Sequence, residues 1–485
     1  MDLQTHKRNL LQNAVVRFLL FSVVVLGLRF AYVVVIRGES CDSGDGFCFF
    51  NEKILTGSLA GSSSAVMTSS SPEVFHKRVM FYINVFQDLI VDGVLTTGST
   101  ALVLTSPASF PAVDDVYALK EIGVERVEKV VTGKKMKSFG ENGQKYDFVF
   151  SGEFSGGVPA RLPEEVCRSL KMGGYFVVHT FGGNDSYSLN SFISLFNCCK
   201  FVHSRRFDGF DSTNKIHEIV LKKVNDGGNV KKKTEDGKCA VSGEKYDIVK
   251  KAEPLIMKEP LKPWIALKRN IENVKYLSSM VDISFKRRYV YVDVGSRSYG
   301  SSIVSWFKKQ YPKQNKTFHV YAVEADKHFH DQYKGKKGVT LLPYAAWVKN
   351  ESLVFEINQT PGDENVEKGR GMGRIQPVES GGGIVNSVDE IQGFDFAEWL
   401  KDTVTEQDFV VMKMDVEGTE FDLIPRLIET GAICLVDEVF LECHYNRWQK
   451  CCPGVRSPKY QKSYGQCMDL FKQLRQLGVL VHQWW

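Results

Sequence analysis

The stretch Phe409–Ile424, FVVMKMDVEGTEFDLI, decides the fold of this chain. Five of its first six residues are apolar, the pattern of a strand buried on both faces of a sheet. Asp415, Glu417 and Glu420 then follow around Gly418 with no polar turn between. Buried carboxylates cost several kcal/mol unless something pairs with them. The acids therefore predict a strand whose carboxyl end reaches a ligand-facing rim. Asp415 would stand on that rim, and Glu417 and Glu420 would open the next helix, where acids meet the positive end of the helix dipole. A helix N-cap is the structural alternative for Asp415, since Asp also favours that position.

The pattern extends outward in both directions. RRYVYVDVGS (287–296), FHVYAVEAD (318–326), VTLLPYAAWV (339–348), SLVFEIN (352–358) and VDEVFLECH (436–444) read as further strands, spaced widely enough for crossover helices. An α/β architecture with a mostly parallel sheet follows. Upstream, TALVLTS (100–106), RVEKVVTG (126–133) and YDFVFSG (146–152) read the same way, and PEEVCRSLKMGGYFVVHTF (163–181) reads as a helix stopped by Gly173 and Gly174, then a strand. Ligands of such sheets bind beyond the carboxyl ends of the strands. There the C-terminal block carries Asp293 and Gly295 on one strand and Glu324 on the next. A glycine permits close approach to the backbone, and an acid at the second strand tip suits a ribose diol. The loop DVGSRSYG is glycine-poor and already negative at Asp293, unlike a pyrophosphate cradle. It suits a cationic, adenosine-containing ligand such as S-adenosylmethionine.

With 485 residues, 43% hydrophobic, 25% charged and a net charge of +5, the chain has ordinary globular composition and room for two or three domains. No basic stripe with interleaved aromatics suggests nucleic acid. Residues 18–36, FLLFSVVVLGLRFAYVVVI, follow His6, Lys7, Arg8 and Arg17 and are interrupted only by Arg29. About 19 helical residues span roughly 28 Å, close to a bilayer core. The flanking charges then leave a cytosolic tail (1–17) and place the bulk of the chain across the membrane. A single-pass type II protein of the endoplasmic reticulum or Golgi is expected. The rival is a cleaved signal peptide; a mitochondrial leader would be amphipathic. Residues 37–72 read as a flexible stem, 73–223 as a first domain, 224–263 as a Gly-, Lys- and Pro-rich linker, and 264–485 as a second domain.

Eleven cysteines are present. Cys41 with Cys48 and Cys452 with Cys467 are candidate local pairs, although connectivity is not legible. Cys443, His444, Cys451 and Cys452 lack a zinc spacing, so no metal is expected. Sequons begin at Asn184, Asn315, Asn350 and Asn358.

Lys413, Asp415, Val416, Glu417, Gly418, Glu420, Glu442 and His444, in K-x-D-V-E-G-x-E followed by E-x-H, resemble the FkbM family of methyltransferases over most of residues 288–445. That resemblance implies a class I, Rossmann-like methyltransferase fold using S-adenosylmethionine, held by Asp293, Gly295, Ser296, Gly300, Glu324 and Ala325. Asp415 would be the catalytic base, with His444 as the alternative. The chain departs from the family at Ser296–Gly300, where an Asn is usual, and at Ala325, where a Pro is usual. The glycine-rich insertion 361–383 reads as a loop beside the site.

The first block also resembles a class I methyltransferase in its YDFVFSG and helix-to-strand segments. LTSPASFP (104–111) replaces its glycine loop, and RVEKVVTG ends without an acid. It reads as a degenerate, non-binding copy, an arrangement similar to that of two-domain plant methyltransferase-like membrane proteins. The expectation is thus two such domains in tandem after a transmembrane helix, acting as a membrane-anchored O-methyltransferase on a glycan or small-molecule acceptor. The alternative is a catalytically inactive scaffold of the endomembrane system. Oligomeric state is not legible.

Overall fold

A computed structural model describes residues 72–105, 114–132, 143–154, 158–209, 215–226, 243–359, 370–376, 388–449 and 454–484. The segment expected to span a membrane, the stem, and the Cys41–Cys48 pair lie outside these residues. Among the described residues no helix is long and apolar enough to cross a membrane.

The first sheet contains β1 (Thr100–Thr105), β2 (Arg126–Val131), β3 (Tyr146–Phe154), β4 (Leu170–Thr180), β5 (Cys199–Asp208) and β6 (Lys215–Lys223). Their order is β2-β1-β3-β4-β6-β5. The first four run parallel, while β6 is antiparallel to both β4 and β5. Five of the six strands thus share one direction, so the sheet is mostly parallel as expected, with β6 reversed between β4 and β5, a strand the sequence did not signal. The helix before β4 ends at Ser169, four residues ahead of Gly173, because Leu170 already pairs with Tyr146. Alternate residues separate to the two faces as the strand period dictates. Leu102, Leu104, Val149, Phe176 and Val178 enter one core, and Ala101, Val103, Phe148, Phe150 and Val177 enter the other.

The second half supplies β7 (Tyr289–Val294), β8 (Phe318–Val323), β9 (Val339–Leu342), β10 (Ala345–Trp347), β11 (Glu351–Gln359), β12 (Arg370–Gln376), β13 (Val388–Asp395), β14 (Phe409–Met414), β15 (Glu438–Leu441) and β16 (Leu480–Gln483). Six of these form an all-parallel sheet ordered β16-β15-β14-β7-β8-β9. In chain order this is 3-2-1-4-5-6, the doubly wound Rossmann arrangement, with its topological switch between β7 and β14. Every residue of β14 is buried. Val410, Met412 and Met414 join one core with Val290, Val292 and Val294; Phe409 and Val411 join the opposite core with Tyr291.

VTLLPYAAWV is not one strand. It breaks after Leu342, and Ala345–Trp347 enters a second sheet ordered β10-β13-β11-β12. Part of the insertion 361–383 is ordered as well, since β12 pairs antiparallel with β11. Residues 224–263, read as a linker, contain the helix Gly243–Lys251. Its Ile248 is buried in the second domain's core, and Glu253 lies against His482. The two halves are docked rather than strung apart. Tyr187 donates to Asp437 (3.0 Å), Gln407 donates to the Ser194 carbonyl (2.9 Å), and Phe192 packs edge-on against Phe285 with ring centroids 5.1 Å apart.

Two disulfides are described, Cys167–Cys198 and Cys443–Cys467. The expected Cys452–Cys467 pair is therefore wrong: Cys443, just past β15, reaches the helix Tyr464–Gln476 first. That bond also removes Cys443 from any metal set.

Candidate active site

The strand ends at the switch point border an open cleft. Gly295 and Arg297 beyond β7, Glu324 and Ala325 beyond β8, and Asp415, Val416 and Glu417 beyond β14 form its floor. Residues of the second sheet, including Ala346, Phe355, Gly373 and Ile375, supply an apolar wall. The fold thus brings Gly295, Glu324, Ala325 and Asp415 together, as the sequence implied. The insertion contributes to the wall through Gly373, where a Cβ would collide with the Phe355 ring at 1.9 Å.

The remaining expected residues stand behind the cleft. Asp293 is fully buried, accepts from the Ser302 hydroxyl, and lies 3.9 Å from the Lys413 ammonium in the next strand. Those two residues are register partners, so the lone cation of β14 is the cross-strand partner of the acid of β7. Burial pushes the Asp293 carboxyl up, against the pull of Lys413. Ser296 is also fully buried, and its hydroxyl accepts from Tyr333 (2.9 Å). Gly300 begins a wide-turned π-type helix, Gly300–Lys308, away from the lining. Asp293, Ser296 and Gly300 therefore support the rim and do not line it.

Gly295 serves a purpose different from the expected one. Its φ is +79°, and an added Cβ would lie 1.9 Å from the Asp415 carbonyl oxygen. The glycine is required by the crossing of the β7 and β14 exits, before any ligand is considered. Glu324 is 7% exposed, and its two carboxylate oxygens accept from the backbone N–H groups of Arg297 (2.5 Å) and Asp326 (2.7 Å). Burial pushes its pKa up to about 7, against those two hydrogen bonds.

Asp415 stands on the rim as expected, but Glu417 and Glu420, expected at a helix start clear of the core, are both buried. Glu420 is fully buried in the first turn of the helix Glu420–Glu429 and accepts from Gly418 N–H (2.9 Å) and His444 N–H (2.6 Å). Glu417 does not open that helix. It occupies the preceding turn at φ +50°, a left-handed conformation uncommon for a side-chain-bearing residue. Its carboxylate accepts from Lys459 (2.8 Å) and from the Tyr460 hydroxyl. Asp415 is not an N-cap, since Thr419 holds that position. His444 is 2% exposed and lies behind Asp415, with Nε2 3.6 Å from Asp415 Oδ1. Burial presses its pKa down, but Glu420, Asp415 and Glu417 together carry it up to about 9. A protonated imidazole is a poor base, so Asp415 is the better-placed group. Sequence reasoning missed Arg297, Lys459 and Tyr460; the departure from the family pattern at Ser296–Gly300 was the only signal for the first.

A Rossmann-like sheet with a ligand cleft at its switch point defines the class of domain. Residues 249–355 and 375–485, a little under half of the chain, match a family described only as a domain of unknown function, DUF7870. No curated protein matches the sequence. Solved structures with similarity include an S-adenosylmethionine-dependent methyltransferase from Methanosarcina mazei, 13% identical over 28% of this chain and 97% of that one, with a TM-score of 0.20. N-methyltransferase NodS from Bradyrhizobium japonicum, solved with S-adenosyl-L-homocysteine, is 7% identical over 31% and 97%, at 0.20. A putative hemolysin from Streptococcus thermophilus is 11% identical over 30% and 66%, at 0.23. Likeness at this distance assigns no activity.

Proposed function

We propose that the second domain is an S-adenosylmethionine-dependent O-methyltransferase of FkbM type. The observation that carries this reading is the cleft itself, in which Glu324, Arg297 and Asp415 converge from three neighbouring strands of the sheet, β8, β7 and β14, at the switch point. The residues fit the cofactor's chemistry. Glu324 offers a carboxylate to a ribose diol, Arg297 offers a cation to an α-carboxylate, and the apolar wall suits an adenine. S-adenosylmethionine, when bound, supplies an electrophilic methyl group. Asp415 orients an acceptor hydroxyl and takes its proton, while Lys413, 3.5 Å from Asp415 Oδ2, holds that carboxylate in place. The apolar wall excludes water and positions the acceptor, which is most of what methyl transfer requires. A small-molecule or glycan hydroxyl is the acceptor class.

Glu324→Gln removes one charged acceptor while keeping shape. It is expected to weaken S-adenosylhomocysteine binding about tenfold or more, the worth of one hydrogen bond to a charged group. Calorimetry measures it, and unchanged affinity would remove Glu324 from the site.

We place the chain in the endomembrane lumen, anchored by residues 18–36, with its first domain as a docked, non-binding partner. The two disulfides support an oxidising compartment. Asn184, Asn315 and Asn350 are all exposed, and glycan occupancy is expected at each, read as mass loss on deglycosylation. Three bare asparagines in protein from cells would contradict the lumenal placement.

A further inference from the structure

We propose that Asp415, Glu417 and His444 form a binding site for one divalent first-row cation. Each residue commits one polar atom to a neighbour and turns its other atom to a common point. Asp415 Oδ2 faces Lys413 (3.5 Å), Glu417 Oε2 accepts from Lys459 (2.8 Å) and Tyr460, and His444 Nδ1 meets Glu420 (3.3 Å). The atoms left over are Asp415 Oδ1, Glu417 Oε1 and His444 Nε2, and one ligand atom from each of the three residues lies within 4.8 Å of the other two. Nε2 is 3.6 Å from the Asp oxygen and 3.9 Å from the Glu oxygen.

Those gaps are too long for hydrogen bonds. They suit atoms that each stand about 2.0–2.2 Å from a shared ion. Two further observations point the same way. Asp415 Oδ1 is buried with no hydrogen-bond partner, and the His444 side chain is only 3% exposed with Nε2 facing the same point. A ligating histidine whose other ring nitrogen is fixed by a carboxylate is the usual outer-shell arrangement of metal sites, and the ion would displace the proton that Nε2 otherwise carries, releasing it to solvent. The donor set, two carboxylates and one imidazole, suits Mn²⁺ or Zn²⁺ better than a thiolate-seeking ion. Lys413 and Lys459 do not occupy the common point, because both face the outward oxygens. Asp415 also lines the cleft, so the ion would stand at its rim and lower the pKa of an acceptor hydroxyl there. That role rests on the methyl-transfer reading; the binding of the ion does not.

The test is titration of the full-length chain with Mn²⁺ alone, followed by electron paramagnetic resonance and calorimetry, without any methyl donor. One ion per chain is expected, bound about tenfold or more weakly by Asp415→Asn and by His444→Gln. Glu398→Gln, at a surface helix, serves as the control that retains full binding. His444 is deeply buried, so Asp415→Asn, isosteric and partly exposed, decides the matter if the histidine variant misfolds. A folded chain that takes up no Mn²⁺, or an Asp415→Asn chain that binds it as tightly as the parent, would overturn the site. A parallel titration with S-adenosylmethionine keeps the two readings apart, since Mn²⁺ uptake without donor binding would sustain the ion site and remove the methyltransferase.

Discussion

Gly295→Ala is expected to destabilise the chain by about 2–6 kcal/mol and to abolish ligand binding in whatever fraction remains folded. Two costs combine. The residue holds φ at +79°, and forcing a side-chain-bearing residue into a sparsely populated conformation costs about 1–3 kcal/mol. The added Cβ would meet the Asp415 carbonyl oxygen at 1.9 Å and its carbon at 2.9 Å. That obstacle is backbone at the centre of a sheet, held by the Asp415 N–H bond to Val294 (2.9 Å), so it cannot turn aside as a side chain would. Overpacking of this kind costs about another 1–3 kcal/mol. Relief comes only from parting the ends of β7 and β14, which displaces Asp415 from the cleft. Urea denaturation measures the first effect and ligand titration the second. A variant within about 1 kcal/mol of the parent would mean that the two exits do not cross as described.

Glu438→Ala is expected to cost about 3–5 kcal/mol, the usual penalty for breaking a buried charge network from one side. Glu438 is fully buried at the start of β15. It accepts from the Leu277 N–H (2.9 Å), His482 Nε2 (2.9 Å) and the Tyr311 hydroxyl. His482, also fully buried, reaches Glu253 (2.7 Å) through Nδ1. Burial alone would depress this histidine, but its two carboxylate partners carry its pKa up to about 8 from an ordinary 6.5. Its contribution to stability is therefore fully present below about pH 6.5 and lost as pH rises through about 8. The parent chain should lose stability between those values, and Glu438→Ala should show a smaller loss over the same window. Equal slopes in the two proteins would assign the pH dependence elsewhere.

The parallel sheet was legible because its strands are buried on both faces and read as unbroken apolar runs. The rim acids were legible because charge at the end of such a run needs a reason. The hairpin of β5 and β6 was less so: β5 has no fully buried residue and no regular alternation, and its RR and HS pairs resemble a surface loop. VTLLPYAAWV hid a change of sheet at Pro343, where the proline ends one strand without saying where the next pairs. Glu417 was misplaced by one rule of thumb. Acids favour helix starts, yet the turn needs φ above zero at both Glu417 and Gly418, which holds Glu417 outside the helix and beside His444. No local pattern reports that His444, beyond a different strand, lies behind Asp415.

Calorimetric titration of the full-length, folded chain with S-adenosylmethionine tests most directly whether the cleft binds the methyl donor. One molecule is expected to bind per chain, displaced by S-adenosylhomocysteine and weakened by Glu324→Gln. A folded parent chain that gives no heat of binding, with its sheet content verified by circular dichroism, would contradict that expectation.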